Sequence, residues 1–168
     1  MGKVLTDPND IPFAADREAA LAEAGLSAAI LSPGKRFRTS CKLICWAGDR
    51  VLLLRRADDG WELPGGRARR QEGPLECLAR EVQEETGLVL APERLVHVWL
   101  RHKPDGALRW TLVFDALAPA EWTERPVAVM PPHVGHAWMS ADEAIAGMRV
   151  AGDARALRRS AARRGRAT

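Results

Sequence analysis

The sequence predicts an α/β domain with a helix-forming arm ahead of it. Paired runs of strand-forming residues, each pair split by a short turn signal, occur twice: Phe37–Ala47 with Val51–Arg56, then Arg94–His102 with Leu108–Leu117. Between the pairs, Pro74–Thr86 carries apolar residues at helical spacing. A chain of 168 residues with 46% hydrophobic content suits one domain with a real core. No run of 18 or more apolar residues exists, so no membrane partner is expected. The opening MGKVLTDPNDIP lacks the apolar stretch of a secretory leader, so a cytoplasmic location is expected.

Residues 1–34 form the expected arm. It starts with a proline-bearing leader, Pro8 and Pro12, and continues as the alanine-rich, helix-prone stretch Phe13–Leu31. Leu21, Ala24, Gly25 and Ala28 give it a small apolar face. Packing on the domain is the plain expectation; covering a cleft or mediating a homodimer are the other roles open to it. Pro33-Gly34 breaks the chain, and residues 35–168 are read as the main domain.

The first hairpin turns at Gly48-Asp49-Arg50. A second turn, Ala57–Gly60, leads through Trp61-Glu62-Leu63 into the loop Pro64-Gly65-Gly66. Two glycines let backbone approach a ligand closely. Arg55 or Arg56 could reach a phosphate, and Trp61 and Glu62 could border a cleft. Cys41, Cys45 and Cys77 fit no metal-binding spacing and are expected to be buried free thiols; an odd count suits a reducing compartment.

The stretch after the glycines is the most informative. Pro74 suits a first helical turn and Gly87 a left-handed stop. Leu75, Leu78, Ala79, Val82 and Thr86 form the expected core stripe. Glu81, Glu84 and Glu85 fall together on another side, where like charges three and four apart repel. They also sit near the negative end of the helix dipole. Arg80, four before Glu84, offsets part of this, and Glu76 lies four before Arg80. Such a face is either simply solvated or holds a cation, and clustered carboxylates suit hard ions such as Mg²⁺ or Mn²⁺.

Taken whole, Gly66, Glu72, Arg80, Glu81, Val82, Glu84, Glu85, Gly87 and Leu88 resemble the Nudix box of the Nudix hydrolases at every position. The resemblance implies an α/β/α sandwich, a mixed sheet between helices. It also implies hydrolysis of a nucleoside diphosphate linked to another group, by water attack on phosphorus. Gly66, Glu72, Glu81, Glu84 and Glu85 are then expected around divalent metal. Arg80 orients the glutamates, and Glu81 or Glu85 is the expected general base. Phosphoanhydride hydrolysis needs charge neutralisation, an in-line water and metals more than covalent chemistry from protein, which agrees.

Further on, Lys103-Pro104-Asp105-Gly106 turns the second hairpin. Ala118–Pro132 reads as a polar, proline-rich loop. The family often draws one more acid from this part of the chain, so Glu121 and Glu124 are candidates for the metal, while Trp122 could stack on a base. The segment His133–Ile145 resembles a late Nudix strand and helix, with a Ser140/Glu143 capping box. Pro132 stands where many members have an acid, and His133 with His136 is too sparse for a zinc site. Gly152–Arg166 reads as a basic terminal helix, solvated rather than bound to nucleic acid.

Substrate signals are thin. The chain has no tyrosine, which excludes the one associated with dinucleoside polyphosphate members, and it lacks the NADH-type SQPWPFP signature. Pro104 falls 16 residues after Leu88, near where ADP-ribose members place a proline. A (d)NTP pyrophosphohydrolase is the leading expectation for this small-molecule nucleotide site. An ADP-ribose or nucleotide-sugar hydrolase and a non-catalytic nucleotide sensor are the alternatives.

Overall fold

The computed structural model describes residues 37–102 and 108–165. The arm, with its expected helix Phe13–Leu31, and the turn at residues 103–107 lie outside the described residues. The elements run β1 Phe37–Ala47, β2 Arg50–Arg56, β3 Trp61–Glu62, α1 Pro74–Thr86, β4 Arg94–His102, β5 Leu108–Ala118, a 3-10 helix Ala120–Glu124, β6 His133–Ser140, α2 Ala141–Gly147 and α3 Ala151–Arg164. The 3-10 helix interrupts what reads in sequence as a plain loop.

One mixed sheet organises them. β1 runs parallel to β5 over their full lengths, from Phe37↔Leu108 to Ala47↔Ala118, and β5 pairs antiparallel with β4. β2 carries β6 along one edge. Its other edge is shared: β1 pairs with it only at Trp46↔Val51 and Ala47↔Arg50, and β3 takes over at Leu54 and Arg55. The first hairpin is therefore pinned at its turn and splayed beyond it.

The glycine loop fills that splay. Leu43 N donates to Pro64 O, Cys41 N to Gly66 O and Ala68 N to Thr39 O, each at 2.9–3.0 Å. The loop thus runs beside β1 almost as another strand. Only glycine fits at position 65, where φ is +122° and a Cβ would stand 2.1 Å from the Cys41 carbonyl oxygen.

Side-chain alternation then builds two cores. Cys41, Leu43 and Cys45 of β1, with Leu52 and Phe114, pack beneath Cys77, Leu78 and Val82 of α1. Ile44, Trp46, Val51, Leu53 and Val113 face the other way, against Ala144 of α2 and Ala156 and Leu157 of α3. The result is the expected α/β/α sandwich. A buried chain of hydrogen bonds ties α3 to the sheet: Trp46 Nε1 donates to Ser160 Oγ (2.9 Å), which donates to Asp115 Oδ2 (2.6 Å), itself paired with Arg94. All three cysteines are buried and unbridged.

The stripe on α1 is rotated from the one expected. Cys77, Leu78, Val82 and Thr86 are buried, whereas Leu75 is 55% exposed and Ala79 is exposed. Cys77 takes the inward place because the stitched loop brings Gly66 O to 3.6 Å from its Sγ. Glu76 does not reach Arg80; it accepts from the Gly73 amide at 2.9 Å and caps the helix start. Gly87 ends α1 at φ +69°, donating to Gln83 O.

Gly65→Ala should lower stability by more than about 2 kcal/mol, because the loop must leave β1 to relieve the clash. Gly73→Ala, where a Cβ meets nothing closer than 3.5 Å, should cost under about 1 kcal/mol. Equal shifts of the two variants in a urea titration would contradict the stitched-loop account.

Candidate active site

The glycine loop and α1 converge on Arg80. Its Nε and Nη2 hold the two oxygens of Glu72 at 2.7 and 2.9 Å. Its Nη1 donates to Glu81 Oε1 at 2.9 Å and to Glu84 Oε2 at 3.0 Å. Nη2 also reaches Arg67 O at 3.0 Å, fixing the loop. Bidentate guanidinium–carboxylate geometry of this kind is strong and directional. Gln71, at φ +67°, makes the tight turn that lets Glu72 Oε2 also accept from the Arg69 amide at 2.7 Å. Those bonds, Arg80's first and then the Arg69 amide's, hold the Glu72 carboxyl down at about 2.

The carboxylates differ in what remains free. Both Glu72 oxygens and both Glu84 oxygens are claimed by hydrogen bonds, Glu84 Oε1 by Arg69 at 3.1 Å. Glu81 Oε2 faces Gly66, where an added Cβ would stand 2.4 Å from it. Glu85 Oε2 accepts from the Gly65 amide at 2.7 Å, and its Oε1 stands 3.8 Å from His133 Nδ1. Burial raises the Glu85 carboxyl above its ordinary value, against the opposing pull of Lys42 and the Gly65 amide. Open oxygen therefore remains on Glu81 and Glu85, one helical turn apart.

A second group completes the floor. His133 Nε2 stands 2.7 Å from Glu62 Oε1, Lys42 Nζ 3.8 Å from Glu62 Oε2, and Arg56 Nη1 3.4 Å from Oε1. Lys42 also donates to the carbonyls of Leu63 and Gly65, at 3.0 and 2.6 Å. Burial would raise the Glu62 carboxyl, but His133, Lys42 and Arg56 together overcome it and hold it at about 2.

These residues line one open cleft of about 970 Å³. Gly66, Glu72, Arg80, Glu81, Glu85 and Glu62 all contribute to it, and Glu84 lies at its margin through Arg80 and Arg69. Other expectations are not met by the placement. Alternation along β2 and β3 puts Arg55 with Trp61 and Leu54 with Glu62, and it is Arg56 and Glu62 that line the cleft. Arg55 lies near Asp59, and Trp61 packs into the core under α2 and α3.

Glu121, Glu124 and Trp122 sit on the 3-10 helix beyond Ala118, which pairs with Ala47. That is six residues past Cys41, roughly 20 Å along the strand, and none of the three lines the cleft. Trp122 instead lies 5.8 Å under the Arg125 guanidinium. Gly66 O is occupied by Cys41 N and Cys77 Sγ.

Lys42, His133, Arg38 and Arg109 line the cleft without having been picked out for it by the sequence pattern. A lysine inside the apolar run of β1 was the one available signal. His133 offered none, because its partner Glu62 is 71 residues away.

Among the described residues no three His, Cys, Asp or Glu groups converge as a metal-binding cluster. The open oxygens of Glu81 and Glu85 nevertheless fit a hard divalent ion, which commonly takes one or two carboxylates and fills its remaining places with water and substrate phosphate.

The family described as NUDIX domain matches residues 34–160. The chain belongs to the Nudix family. It is 38% identical over 96 residues to a MutT-like protein of Streptomyces ambofaciens, covering 48% of this chain and 62% of that protein. It is 40% identical over 72 residues to an RNA pyrophosphohydrolase of Halorhodospira halophila, covering 40% of each. The chain thus spans less than two thirds of the length of these relatives. Among solved structures, the MutT protein of Methanosarcina mazei Go1 superposes with a TM-score of 0.64 at 25% identity, covering 80% of this chain and 99% of that one. As a member of the Nudix family, the chain carries its box on α1 and the loop before it.

The depressed Glu62 carboxyl makes a pH prediction. A group lowered from 4.5 to about 2 stabilises the fold above 4.5 and loses that contribution as pH falls toward 2. Glu62→Gln should therefore flatten the acid limb of the stability curve between about pH 4.5 and 2. Parallel denaturation curves for the two proteins across that window would sink this assignment.

Proposed function

We propose that the chain hydrolyses a phosphoanhydride bond in a nucleoside diphosphate linked to a further group, with a (d)NTP as the leading substrate class. The observation that carries this is the pair of open carboxylate oxygens, Glu81 Oε2 and Glu85 Oε1, beside Gly65-Gly66 in a cleft that also holds Lys42 and Arg56.

Glu81 and Glu85 would hold Mg²⁺ or Mn²⁺, with Glu72 and Glu84 in support through Arg80. Such an ion supplies neutralisation of phosphate charge and an activated water. The residues themselves supply the rest. Arg80 keeps the acids from repelling each other and fixes their rotamers. Lys42 and Arg56 draw phosphate in. Glu85 is the proposed proton acceptor where the ion sits on Glu81 alone, because its Oε1 then stays open and burial raises its carboxyl above the ordinary value. His133, locked by Glu62, borders it.

The relatives support a pyrophosphohydrolase: one is a MutT-like protein, and several are RNA pyrophosphohydrolases. Hydrolysis of ADP-ribose or a nucleotide sugar remains the second reading of the same site, and a nucleotide sensor the third.

A panel of standard and oxidised dNTPs, NTPs, ADP-ribose and nucleotide sugars, assayed for phosphate or pyrophosphate release with Mg²⁺, tests this. Turnover is expected on triphosphates. It should vanish with a chelator and fall by about 10²–10⁴ in Glu85→Gln or Glu81→Gln, while Glu121→Gln and Glu124→Gln keep wild-type rates. Tight nucleotide binding with no turnover on any substrate would replace the hydrolase with the sensor.

A further inference from the structure

The three buried thiols are not equivalent. Cys45 shares the core with the other two, but burial alone acts on it and pushes its thiol up to about 12. Cys41 of β1 and Cys77 of α1 meet in the layer between sheet and helix. Both are 0% exposed members of one core cluster, and the Cys41 S–H donates to the Cys77 sulfur. The glycine loop closes a ring around them. Cys77 Sγ donates to Gly66 O at 3.6 Å, and the same oxygen accepts from Cys41 N at 2.9 Å.

That ring adjoins the acids without taking part in their chemistry. Gly66 leaves the space that the Glu81 carboxylate fills, where an added Cβ would stand 2.4 Å from Oε2. Cys77 lies about one helical turn before Glu81 on α1. Both sides of the thiol pair are thus attached to the parts that hold Glu81. A disulfide brings its two sulfurs to about 2.05 Å, well inside any non-bonded contact. Forming one would draw α1 toward β1 and remove the S–H that Gly66 O accepts.

The pair also lies next to the open cleft. Ser40 and Lys42, on either side of Cys41, line that cleft together with Gly66. A brief local opening of the loop admits a molecule as small as a peroxide.

We propose that Cys41 and Cys77 form a redox modification site, closed to a disulfide by a peroxide, and that closing it displaces Gly66 and Glu81 and lowers turnover. In the first step peroxide transfers one oxygen to the Cys77 sulfur, giving a sulfenic acid and releasing one water. In the second, the Cys41 sulfur attacks the Cys77 sulfur, the S–O bond breaks and a second water leaves. The two thiols lose two hydrogens and two electrons, and the peroxide takes them up as water. The effect on rate rests on the hydrolase reading above; the bond itself is measured without turnover.

The folded full chain is treated with hydrogen peroxide, then unfolded, alkylated and weighed, for wild type, C45S, C41S and C77S. The serine at position 77 keeps a donor for Gly66 O. Wild type and C45S should each lose two alkylation sites, and digestion should give one cross-linked pair of peptides, carrying Cys41 and Cys77. C41S and C77S should form no disulfide. Turnover on the best nucleotide of the panel should fall by about tenfold or more in oxidised wild type and C45S and return with dithiothreitol. C41S and C77S should each hold their own starting rate through the treatment.

Unchanged alkylation of wild type, a bond to Cys45 or between two chains, or inactivation shared by C41S and C77S overturns the proposal. A Cys41–Cys77 bond that leaves turnover unmoved overturns its effect on the site. Absence of turnover on every nucleotide would sink the hydrolase reading, and the alkylation count and cross-linked peptides would still decide the pairing.

Discussion

The Arg80 guanidinium is the constraint on which the rest of the site depends. Glu81 and Glu84 on one turn of helix, with Glu72 folded back onto them, would be an expensive concentration of negative charge. Arg80 meets all three within 3.0 Å. Because its five donors are fixed in one plane, it sets where each carboxylate stands as well as offsetting the charge. It spends one oxygen of Glu81 and leaves the other open. Glu85 lies outside its reach and is held by the Gly65 amide instead. The two acids with open oxygens are thus separated from the two that are fully engaged by the geometry of one side chain.

That geometry needs the backbone of the preceding loop in one place. Gly65 and Gly66 serve it differently. Gly65 is required by conformation and by the Cys41 carbonyl, which permits no Cβ. Gly66 leaves the space that the Glu81 carboxylate occupies. Both depend on the hairpin splaying after two residue pairs, which opens β1 to the loop's hydrogen bonds. A fully paired β1–β2 hairpin would have had no edge to offer. The fold positions the site by what it leaves unpaired.

Much of this was legible in the sequence. The strand bounds of β4, the helix α1, its glycine stop and the Ser140 capping box follow from local chemistry, and local chemistry is what a sequence displays. The acids of the box were legible through their spacing. The parts missed depend on long-range register. Alternation within β2 says that Arg55 and Arg56 point opposite ways, but only the pairing with β3 and the position of the loop say which one meets the cleft. His133 joins Glu62 from the far end of the chain. Glu121 and Glu124 looked suitable by type and order, yet β5 runs on to Ala118 and carries them beyond the level of the acids.

The same register argument explains why the cleft has two characters. Residues on α1 are arranged by a 3.6-residue period, so the box can place several acids on one helical face. Residues on the sheet are arranged by pairing, so Arg38 and Arg109 become neighbours although 71 residues separate them in sequence. The helix contributes Glu81 and Glu85 with Arg80, and the strands contribute Arg38, Lys42, Arg56 and Arg109 with Glu62.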